Sequence, residues 1–491
     1  MNALRHVHFI AIGGTGMGSL AGLLRARGLR ITGSDRALYP PMSTALADWG
    51  IDVVEGFRAE NVLSSPPDLV VIGNAVRADN PEALAAMEAG LPYRSFSDAL
   101  YELAMESKHS VTVSGTHGKT TTTSLLAYLL HATGRDPSFL VGGIARDFDG
   151  PFREGAGDHF VVEGDEYDTA FFDKTPKFLH YHPQTLILTS VEFDHADIYL
   201  DLAAVKSAFA ELVAGLPDTG TIIAAWDHPN VRDVVDQAFC AGAPRRVIRY
   251  GVDDADCAGD AREFDFIARN VEATDEGTNF SLQGPDGAAQ SVLLPMYGRF
   301  NVENALACLA ATYALGVPLD ASIGALPAFQ GVKRRQEIRG TERGVTVIDD
   351  FAHHPTAVRG TIEALHSRYP AGRLVAVFEP RSNTSRRKLF QQEYALALEG
   401  ADAVVVLEVA HEPIYSATGE VTEFFSAAEL VSTLGDHGVD AIAFPSVEAI
   451  VEHLGKDPRE GDVVLIMSNG AFGNIWEKLL AELREGEEGE R

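Results

Sequence analysis

A phosphate-binding loop is the clearest chemical signal in the chain. Residues 110–113 have a strand pattern, residues 114–120 read Ser-Gly-Thr-His-Gly-Lys-Thr, and a helix pattern follows. Backbone N–H groups of such a loop surround phosphate oxygens, Lys119 can neutralise them, and the Thr120 hydroxyl can bind Mg²⁺. The full motif has glycine where this chain has Val113, so the match is partial. The strand–loop–helix context still favours nucleotide-phosphate binding over a chance turn.

Metal ligands are expected at two strand ends. A nucleotide-phosphate site needs a cation, and Mg²⁺ prefers oxygen ligands. Residues 163–168 (Glu-Gly-Asp-Glu-Tyr-Asp) follow a predicted strand at 160–162, and residues 192–197 (Glu-Phe-Asp-His-Ala-Asp) follow a predicted strand at 186–191. Because the carboxyl ends of parallel strands meet at one sheet edge, both runs should lie beside the phosphate loop. Their positions single out Glu163 and His195, with solvated loop charge as the alternative.

A second glycine-rich loop lies near the N-terminus. Residues 7–12 have a strand pattern, residues 13–18 read Gly-Gly-Thr-Gly-Met-Gly, and an apolar helix pattern follows. The spacing fits a dinucleotide-binding fingerprint with Ala11 at its first position. Glycines let a pyrophosphate approach the helix N-terminus, and Asp35 can accept hydrogen bonds from a ribose. A tight turn that binds no ligand is the alternative.

The composition indicates a large acidic protein with several domains. The 491 residues include 46% apolar and 22% charged residues, which allows sizeable cores. Asp and Glu total 70 against 40 Lys and Arg, giving a net charge of -30. We therefore expect neither nucleic acid nor an anionic membrane as a partner. The three cysteines form no CxxC pair. With neither a signal peptide nor an apolar run of ~18 residues, we predict a cytoplasmic protein.

Short β-branched runs alternate with helix patterns along most of the chain. This alternation predicts an α/β fold with mainly parallel sheets. Near 257–294 the pattern becomes short and polar, which predicts an antiparallel addition to the second domain. We predict a Rossmann-like domain at 1–107, a central P-loop ATPase-like α/β domain at 108–332, and a Rossmann-like domain at 333–491.

Six motifs occur in a characteristic order. They are 115–120 (Gly-Thr-His-Gly-Lys-Thr), 163–166 (Glu-Gly-Asp-Glu), Asp194-His195, 301–306 (Asn-Val-Glu-Asn-Ala-Leu), Arg334-Arg335 and 349–356 (Asp-Asp-Phe-Ala-His-His-Pro-Thr). In this order the chain resembles the Mur ligases, the ATP-dependent amide ligases of peptidoglycan synthesis. The resemblance covers nearly the whole chain, from Val7 to Lys478. It implies ATP and Mg²⁺ as cofactors and a three-domain fold that closes during turnover.

The resemblance also implies the ATP site. Asn304 would read the adenine, Arg335 would reach the phosphate and Asp350 would bind the ribose. The family usually has His where this chain has Phe300, so we expect the adenine edge to differ. The full set of predicted ATP-binding residues is Gly115, Thr116, His117, Gly118, Lys119, Thr120, Thr121, Asn304, Arg335 and Asp350.

Metal binding and catalysis follow from the same resemblance. Thr120 and Glu163 would hold one Mg²⁺, and His195 would hold a second. The expected catalytic residues are Lys119, His195 and Arg335. Lys206 does not match the spacing of the carbamylated Lys that some family members carry, so that role is not assigned.

Within the family, the chain resembles the branch that acts on UDP-N-acetylmuramate. Segments 165–174, 378–384 and 467–473 favour addition of the recycled tripeptide L-alanyl-γ-D-glutamyl-meso-diaminopimelate, with L-alanine as the alternative amine. Arg381, Asn383 and Thr384 would bind carboxylates of the tripeptide. The residues expected at the UDP-linked acceptor are Gly14, Thr15, Gly16, Met17, Asp35 and Asn74.

Two further expectations complete the prediction. We expect a monomer or weak homodimer. An NAD-dependent oxidoreductase is a more distant alternative, since it explains the first glycine-rich loop and Asp35 but leaves Lys119, Glu163 and His195 unexplained.

Overall fold

The computed structural model describes residues 4–40, 42–148, 150–240, 246–253, 263–409 and 419–489. An N-terminal sheet of five parallel strands has the order β3-β2-β1-β4-β5. Its strands are β1 (His6–Ile10), β2 (Arg30–Asp35), β3 (Asp52–Glu55), β4 (Leu69–Ile72) and β5 (Tyr93–Ser95). Its helices are α1 (Thr15–Ala26), α2 (Met42–Asp48), α3 (Glu60–Leu63), α4 (Pro81–Glu88) and α5 (Phe96–Leu100). Central strand β1 is buried on both faces, as a parallel sheet covered by helices requires.

A ten-stranded sheet forms the middle of the chain. Its order is β17-β16-β15-β14-β13-β12-β6-β9-β7-β8, and a two-stranded hairpin, β10-β11, lies apart from it. The strands are β6 (His109–Ser114), β7 (Ser138–Ala145), β8 (Gly150–Arg153), β9 (His159–Gly164), β10 (Asp168–Ala170), β11 (Asp173–Pro176), β12 (Thr185–Leu188), β13 (Thr221–Ala225), β14 (Arg246–Val252), β15 (Phe266–Thr274), β16 (Gly277–Gln283) and β17 (Ala289–Leu294). The helices are α6 (Lys119–Ala132), α7 (Leu202–Ala214), α8 (Pro229–Cys240), α9 (Arg299–Ala314) and α10 (Leu319–Ala325).

The pairing within this sheet explains the change of pattern in the sequence. Strands β6, β9, β12, β13 and β14 are parallel neighbours, whereas β15, β16 and β17 form an antiparallel meander. The predicted antiparallel addition is confirmed for residues 266–294, and residues 254–262 lie outside the described part. The predicted strand at 186–191 is too long at its end. Strand β12 stops at Leu188, because residues 189 and 190 turn to bond the phosphate loop.

A six-stranded sheet completes the fold. Its order is β18-β19-β23-β20-β21-β22, with only β18 antiparallel to its neighbour. The strands are β18 (Glu337–Glu342), β19 (Val345–Asp350), β20 (Leu374–Phe378), β21 (Ala403–Leu407), β22 (Asp440–Phe444) and β23 (Val463–Met467). The helices are α11 (Pro355–Arg368), α12 (Gln391–Leu398), α13 (Ala427–Asp436), α14 (Val447–Lys456) and α15 (Ile475–Gly489).

The predicted α/β class with three sheet-based units is confirmed. The boundaries at 107/108 and 332/333 stay a prediction, although both fall between sheets. Each glycine-rich loop follows the carboxyl end of a central parallel strand, β1 or β6, where ligands of open α/β sheets bind. In the described part of the chain, no helix combines the length and apolar character needed to cross a bilayer.

Candidate active site

The phosphate loop joins β6 to α6 and has a backbone that only glycine tolerates at Gly115. The φ angle of Gly115 is 138°, and a Cβ there would lie 2.1 Å from Oγ1 of Thr189 and 2.8 Å from the Ser190 nitrogen. The N–H groups of Thr116 and His117 donate to Ser190, at 3.0 and 2.9 Å. Because these two groups hold the loop, the N-terminal turn of α6 supplies the remaining donors for an anion.

Lys119 lies at the start of α6 in an ion pair that the sequence did not single out. Its Nζ is 2.7 Å from the Gly115 carbonyl and 2.8 Å from Oε2 of Glu166. The other oxygen of Glu166 is 3.5 Å from Nε2 of His195. Burial opposes the charge on Lys119, but Glu166 and the neighbouring carboxylates outweigh it and raise the pKa of Lys119. The lysine is therefore a permanent cation beside the loop.

Thr120 and Glu163 lie beside two consecutive glycines of β7. A Cβ on Gly142 would be 3.1 Å from Oε2 of Glu163, and a Cβ on Gly143 would be 2.8 Å from the Thr120 methyl carbon. Burial, helped by the Asp165 charge, raises the pKa of Glu163 to about 7. The raised pKa means that the surrounding positive charge does not fully balance the buried Glu163 carboxylate, so a cation would stabilise it. A hydroxyl and a carboxylate are suitable ligands for Mg²⁺, and these two residues therefore fit the predicted metal.

His195, the ligand predicted for a second metal ion, lies next to Glu166. Among the described residues, none of the clusters of three possible metal ligands contains either residue. The φ angle of His195 is 51°, and Asp194 accepts its N–H at 2.7 Å. A histidine in the left-handed region is strained, and such strain concentrates at functional sites. The structure thus places the Glu166 carboxylate beside His195, and the metal-binding role of His195 stays a prediction.

Arg335 reaches the phosphate loop from the segment before β18. Its Nη2 donates to Oγ1 of Thr120 at 3.2 Å, and its guanidinium lies 4.6 Å from the centre of the Phe351 ring. Both neighbours, Arg334 and Gln336, have positive φ angles of 60° and 48°. Between these two residues, the Arg335 side chain extends to the central unit, where its charge and that of Lys119 both act on Glu163.

Asn304 and Asp350 both have hydrogen-bond partners within the protein. Buried Asn304 on α9 accepts from the Thr122 hydroxyl at 3.0 Å, directly under the phosphate loop at Gly118. The Asp350 carboxylate accepts the Gln336 N–H and the Ala352 N–H, each at 2.7 Å. Buried Thr121 lies in the first turn of α6. Adenine and ribose recognition by Asn304 and Asp350 stay predictions.

A cluster that we call the Glu192 clasp connects the phosphate loop to α11. It consists of His117, Glu192, His354 and Thr356. Glu192 Oε2 is 3.2 Å from Nε2 of His117, 3.7 Å from Nδ1 of His354, and accepts from the Thr356 hydroxyl at 2.6 Å. Burial opposes ionisation, but the bonds from His117 and Thr356 lower the pKa of Glu192 to about 2. The clasp joins the second and third sheet units beside the predicted ATP site.

The clasp predicts a loss of stability in acid. Burial and nearby His117 lower the pKa of His354 from 6.5 to about 4. Because the unfolded chain binds this proton first, the contribution of His354 is full above pH 6.5 and disappears as pH falls towards 4. We expect the free energy of unfolding in urea to fall by about 2 kcal/mol between pH 6.5 and 5. His354→Asn, which keeps a helix-capping side chain, should flatten this slope, whereas His437→Asn at an exposed site should not. An unchanged slope in His354→Asn contradicts the prediction.

The N-terminal loop is closed by Asp35, the residue predicted to bind the acceptor. Its Oδ2 accepts the Gly13 N–H at 2.7 Å, so this carboxylate holds the loop. Met17 is buried in the first turn of α1, whereas Gly14 and Thr15 are exposed. Gly16 faces the Phe96 ring, and a Cβ added there would lie 3.7 Å from it. Half-buried Asn74 follows β4 at the same edge of the sheet.

Two neighbouring glycines of this loop should respond differently to alanine. A Cβ on Gly13 would lie 2.8 Å from Asp35 Oδ2, whereas a Cβ on Gly14 would meet nothing within 4 Å. We expect Gly13→Ala to lower the free energy of unfolding by about 1–3 kcal/mol. Gly14→Ala should leave stability unchanged and weaken binding of a UDP-linked ligand. Urea unfolding and calorimetric titration measure the two effects, and equal stability of both variants contradicts the role of Asp35.

The three predicted peptide-binding residues differ in their surroundings. Arg381 is exposed, and its guanidinium lies against Gly470. Asn383 donates to Asp197 at 3.1 Å, and the Thr384 hydroxyl accepts from the backbone beside His195 at 3.3 Å. Asn383 and Thr384 therefore hold the third unit against the loop of His195. Arg381 is the one charged residue of the three, and its side chain is exposed to solvent.

Fold and site together define a class of protein built from three α/β sheet units, with a phosphate loop at the carboxyl edge of the central sheet. Models of three domains match the chain in order: Mur ligase family, catalytic domain, at 6–108; Mur ligase middle domain at 113–312; and Mur ligase, glutamate ligase domain, at 334–470. The chain belongs to the Mur ligase family, and it is an ATP-dependent enzyme of peptidoglycan synthesis that forms C–N bonds. Members of this family generally use ATP and Mg²⁺.

Three relatives bear on the substrate. The UDP-N-acetylmuramate–L-alanyl-γ-D-glutamyl-meso-2,6-diaminoheptandioate ligase of Escherichia coli is 38% identical over 477 residues, covering 96% of this chain and 97% of that protein. The UDP-N-acetylmuramate–L-alanine ligase of Agathobacter rectalis is 34% identical, covering 97% of each. The crystal structure of a murein peptide ligase from Psychrobacter arcticus is 34% identical, covers 98% of both chains and superposes with a TM-score of 0.69.

Two groups in the site, Glu166 and the Glu192 clasp, were not predicted from the sequence. Buried Glu166 lay inside an acidic run in which only the first residue was favoured, although its ion-pair partner Lys119 was predicted. The Glu192 clasp joins residues 164 positions apart, which no local pattern indicates. The sequence could have indicated Glu166, because this residue closely follows a buried strand. The carboxyl ends of parallel strands meet at one sheet edge, which places such a carboxylate near the predicted cation of the phosphate loop.

Proposed function

We propose that the chain joins the carboxylate of UDP-N-acetylmuramate to the amino group of L-alanyl-γ-D-glutamyl-meso-diaminopimelate, using ATP and Mg²⁺. The observation that carries this proposal is the meeting of Lys119 and Thr120 with Arg335 beside Glu163. This arrangement brings together two cations suited to phosphate, Lys119 and Arg335, and two oxygen ligands suited to Mg²⁺, Thr120 and Glu163. The N-terminal glycine loop, on the neighbouring unit, is the corresponding place for the UDP group.

The reaction needs activation, because a carboxylate does not react with an amine at neutral pH. The acceptor carboxylate attacks the γ-phosphate of ATP, ADP leaves, and an acyl phosphate forms. The alanyl amine then attacks the acyl carbon, phosphate leaves, and the amine loses a proton. Bound Mg²⁺ would neutralise phosphate charge at Thr120 and Glu163. Lys119 and Arg335 would orient the phosphates, and Arg381 would bind a carboxylate of the tripeptide.

The tripeptide is favoured over L-alanine by two observations. The Escherichia coli relative that is named for the tripeptide shares 38% of its residues with this chain. Segments 165–174, 378–384 and 467–473 also resemble the tripeptide-adding branch. A ligase for L-alanine is the second candidate, since the Agathobacter rectalis relative carries that name at 34% identity. The NAD-dependent oxidoreductase does not suit a family that forms C–N bonds.

One experiment separates the two candidates. Formation of ADP is measured with ATP, Mg²⁺ and UDP-N-acetylmuramate, with L-alanine and the tripeptide in parallel reactions. We expect turnover with the tripeptide and little with L-alanine. Turnover with L-alanine alone overturns the choice of amine, and no acceptor-dependent ADP with either amine overturns the ligase proposal. The cytoplasmic location and the monomer or weak homodimer stay predictions.

A further inference from the structure

Lys177 is a nearly enclosed cation to which the mechanism has given no role. It follows the β10-β11 hairpin, and its side chain is 12% exposed. Its Nζ lies 4.1 Å from the centre of the Tyr167 ring and 5.2 Å from that of Phe96. Its paired carboxylate oxygen, Oδ2 of Asp165, is 3.8 Å away, beyond hydrogen-bond distance. Asp165 therefore does not give this ammonium group a close ion-pair partner.

The charge balance around Lys177 agrees with this geometry. Burial lowers the pKa of Lys177, although the charges of Asp165 and Asp168 oppose the change. Two aromatic faces and one distant carboxylate do not replace the water that the ammonium loses on burial. An additional anion at Nζ would stabilise the charged form.

Lys177 shares a neighbouring residue with each of the two glycine-rich loops. On one side, the Phe96 ring near its ammonium also faces Gly16 of the N-terminal loop, where an added Cβ would lie 3.7 Å from the ring. On the other side, the Asp165 charge acts on both Lys177 and Lys119 of the phosphate loop. We therefore expect a ligand that extends from the first loop to the second to pass this ammonium group.

The proposed reaction brings an anion into the region between the two loops. The acceptor carries its carboxylate on the sugar attached to the diphosphate, so the carboxylate lies about one sugar ring from the N-terminal loop. It must approach the negatively charged γ-phosphate, and a cation between the two lowers their repulsion. We propose that Lys177 binds the carboxylate of the UDP-linked acceptor through its ammonium group and holds it for attack on ATP. This inference rests on the proposed function.

A pair of ligands that differ in the carboxylate tests the inference without turnover. UDP-N-acetylmuramate has the lactyl carboxylate, and UDP-N-acetylglucosamine lacks it. Calorimetric titration of Lys177→Met should show affinity for the first ligand reduced by about 10- to 100-fold, with affinity for the second unchanged. Lys177→Arg, which keeps the charge, should retain most of the preference. Lys174→Met is the matched control, because Lys174 lies on the same hairpin with its side chain 68% exposed.

Kinetics provide an independent check. Lys177→Met should raise KM for UDP-N-acetylmuramate and leave KM for ATP unchanged. If Lys177→Met unfolds, Lys177→Gln is used in the same titrations. An equal loss for both ligands, or an unchanged preference for the carboxylate, overturns the inference while the ligase activity of the wild type stands. If the wild type binds neither ligand and forms no ADP, the proposed function itself fails.

Discussion

Replacing Lys119 by alanine is expected to reduce acceptor-dependent ADP formation by about 10²- to 10³-fold. The ammonium group is held 2.8 Å from Glu166 and 2.7 Å from the Gly115 carbonyl, so its charge is already in place before the nucleotide binds. A preorganised cation stabilises charge on the transferred phosphate without reorganisation, and alanine removes it entirely. ADP release in a coupled assay, with tripeptide and with L-alanine, measures the loss.

The same substitution should also destabilise the fold, and a second variant separates the two effects. Lys119→Ala leaves the Glu166 carboxylate buried without its partner, which typically costs about 3–5 kcal/mol. Lys119→Met combined with Glu166→Gln removes both charges. We expect this double variant to recover most of the free energy of unfolding and none of the turnover. Wild-type turnover in any folded Lys119 variant contradicts the assignment of the phosphate loop.

Arg335→Ala is expected to lower kcat by about 10²- to 10³-fold. Arg335 donates to Thr120 from a different sheet unit, so its loss removes positive charge and one link between the units. Lys would keep the charge but lose the planar fork and its stacking on Phe351, so Arg335→Lys should recover only part of the rate. Steady-state kinetics at saturating ATP measure the effect.

The neighbouring Lys333 provides the matched control for Arg335. It is exposed, two positions before Arg335 in the same segment. Lys333→Ala removes one positive charge from that segment and should leave kcat unchanged. Equal losses in Lys333→Ala and Arg335→Ala indicate a general charge effect and remove the specific role of Arg335.

The sequence predicted well those features that depend on contiguous residues. The phosphate loop follows a buried strand and precedes a helix, so strand, glycines and Lys119 were all visible in one window of residues 109–132. The α/β class followed from alternation of the same local patterns. Even the strand end at 188 was missed by only three residues, because Thr189 and Ser190 are β-compatible residues that bond the loop instead.

Features that depend on distant residues were less visible. Asp35 was predicted to bind a ligand, but its carboxylate is used by Gly13, 22 positions earlier. Lys177 follows a hairpin, and only the folded chain places Phe96 and Asp165 around it. A local pattern identifies residue types that can do chemistry, but only the tertiary structure shows which of them already have a partner within the protein.

The Glu192 clasp has a consequence for how the two ends of the site communicate. The carboxylate that contacts His117 of the phosphate loop also accepts the Thr356 hydroxyl at the start of α11. A nucleotide that shifts His117 therefore alters the docking of the third unit, and docking alters the loop. By thermodynamic linkage, the factor by which docking strengthens nucleotide binding equals the factor by which the nucleotide strengthens docking. This makes substrate affinity and domain association two measurements of a single coupling free energy.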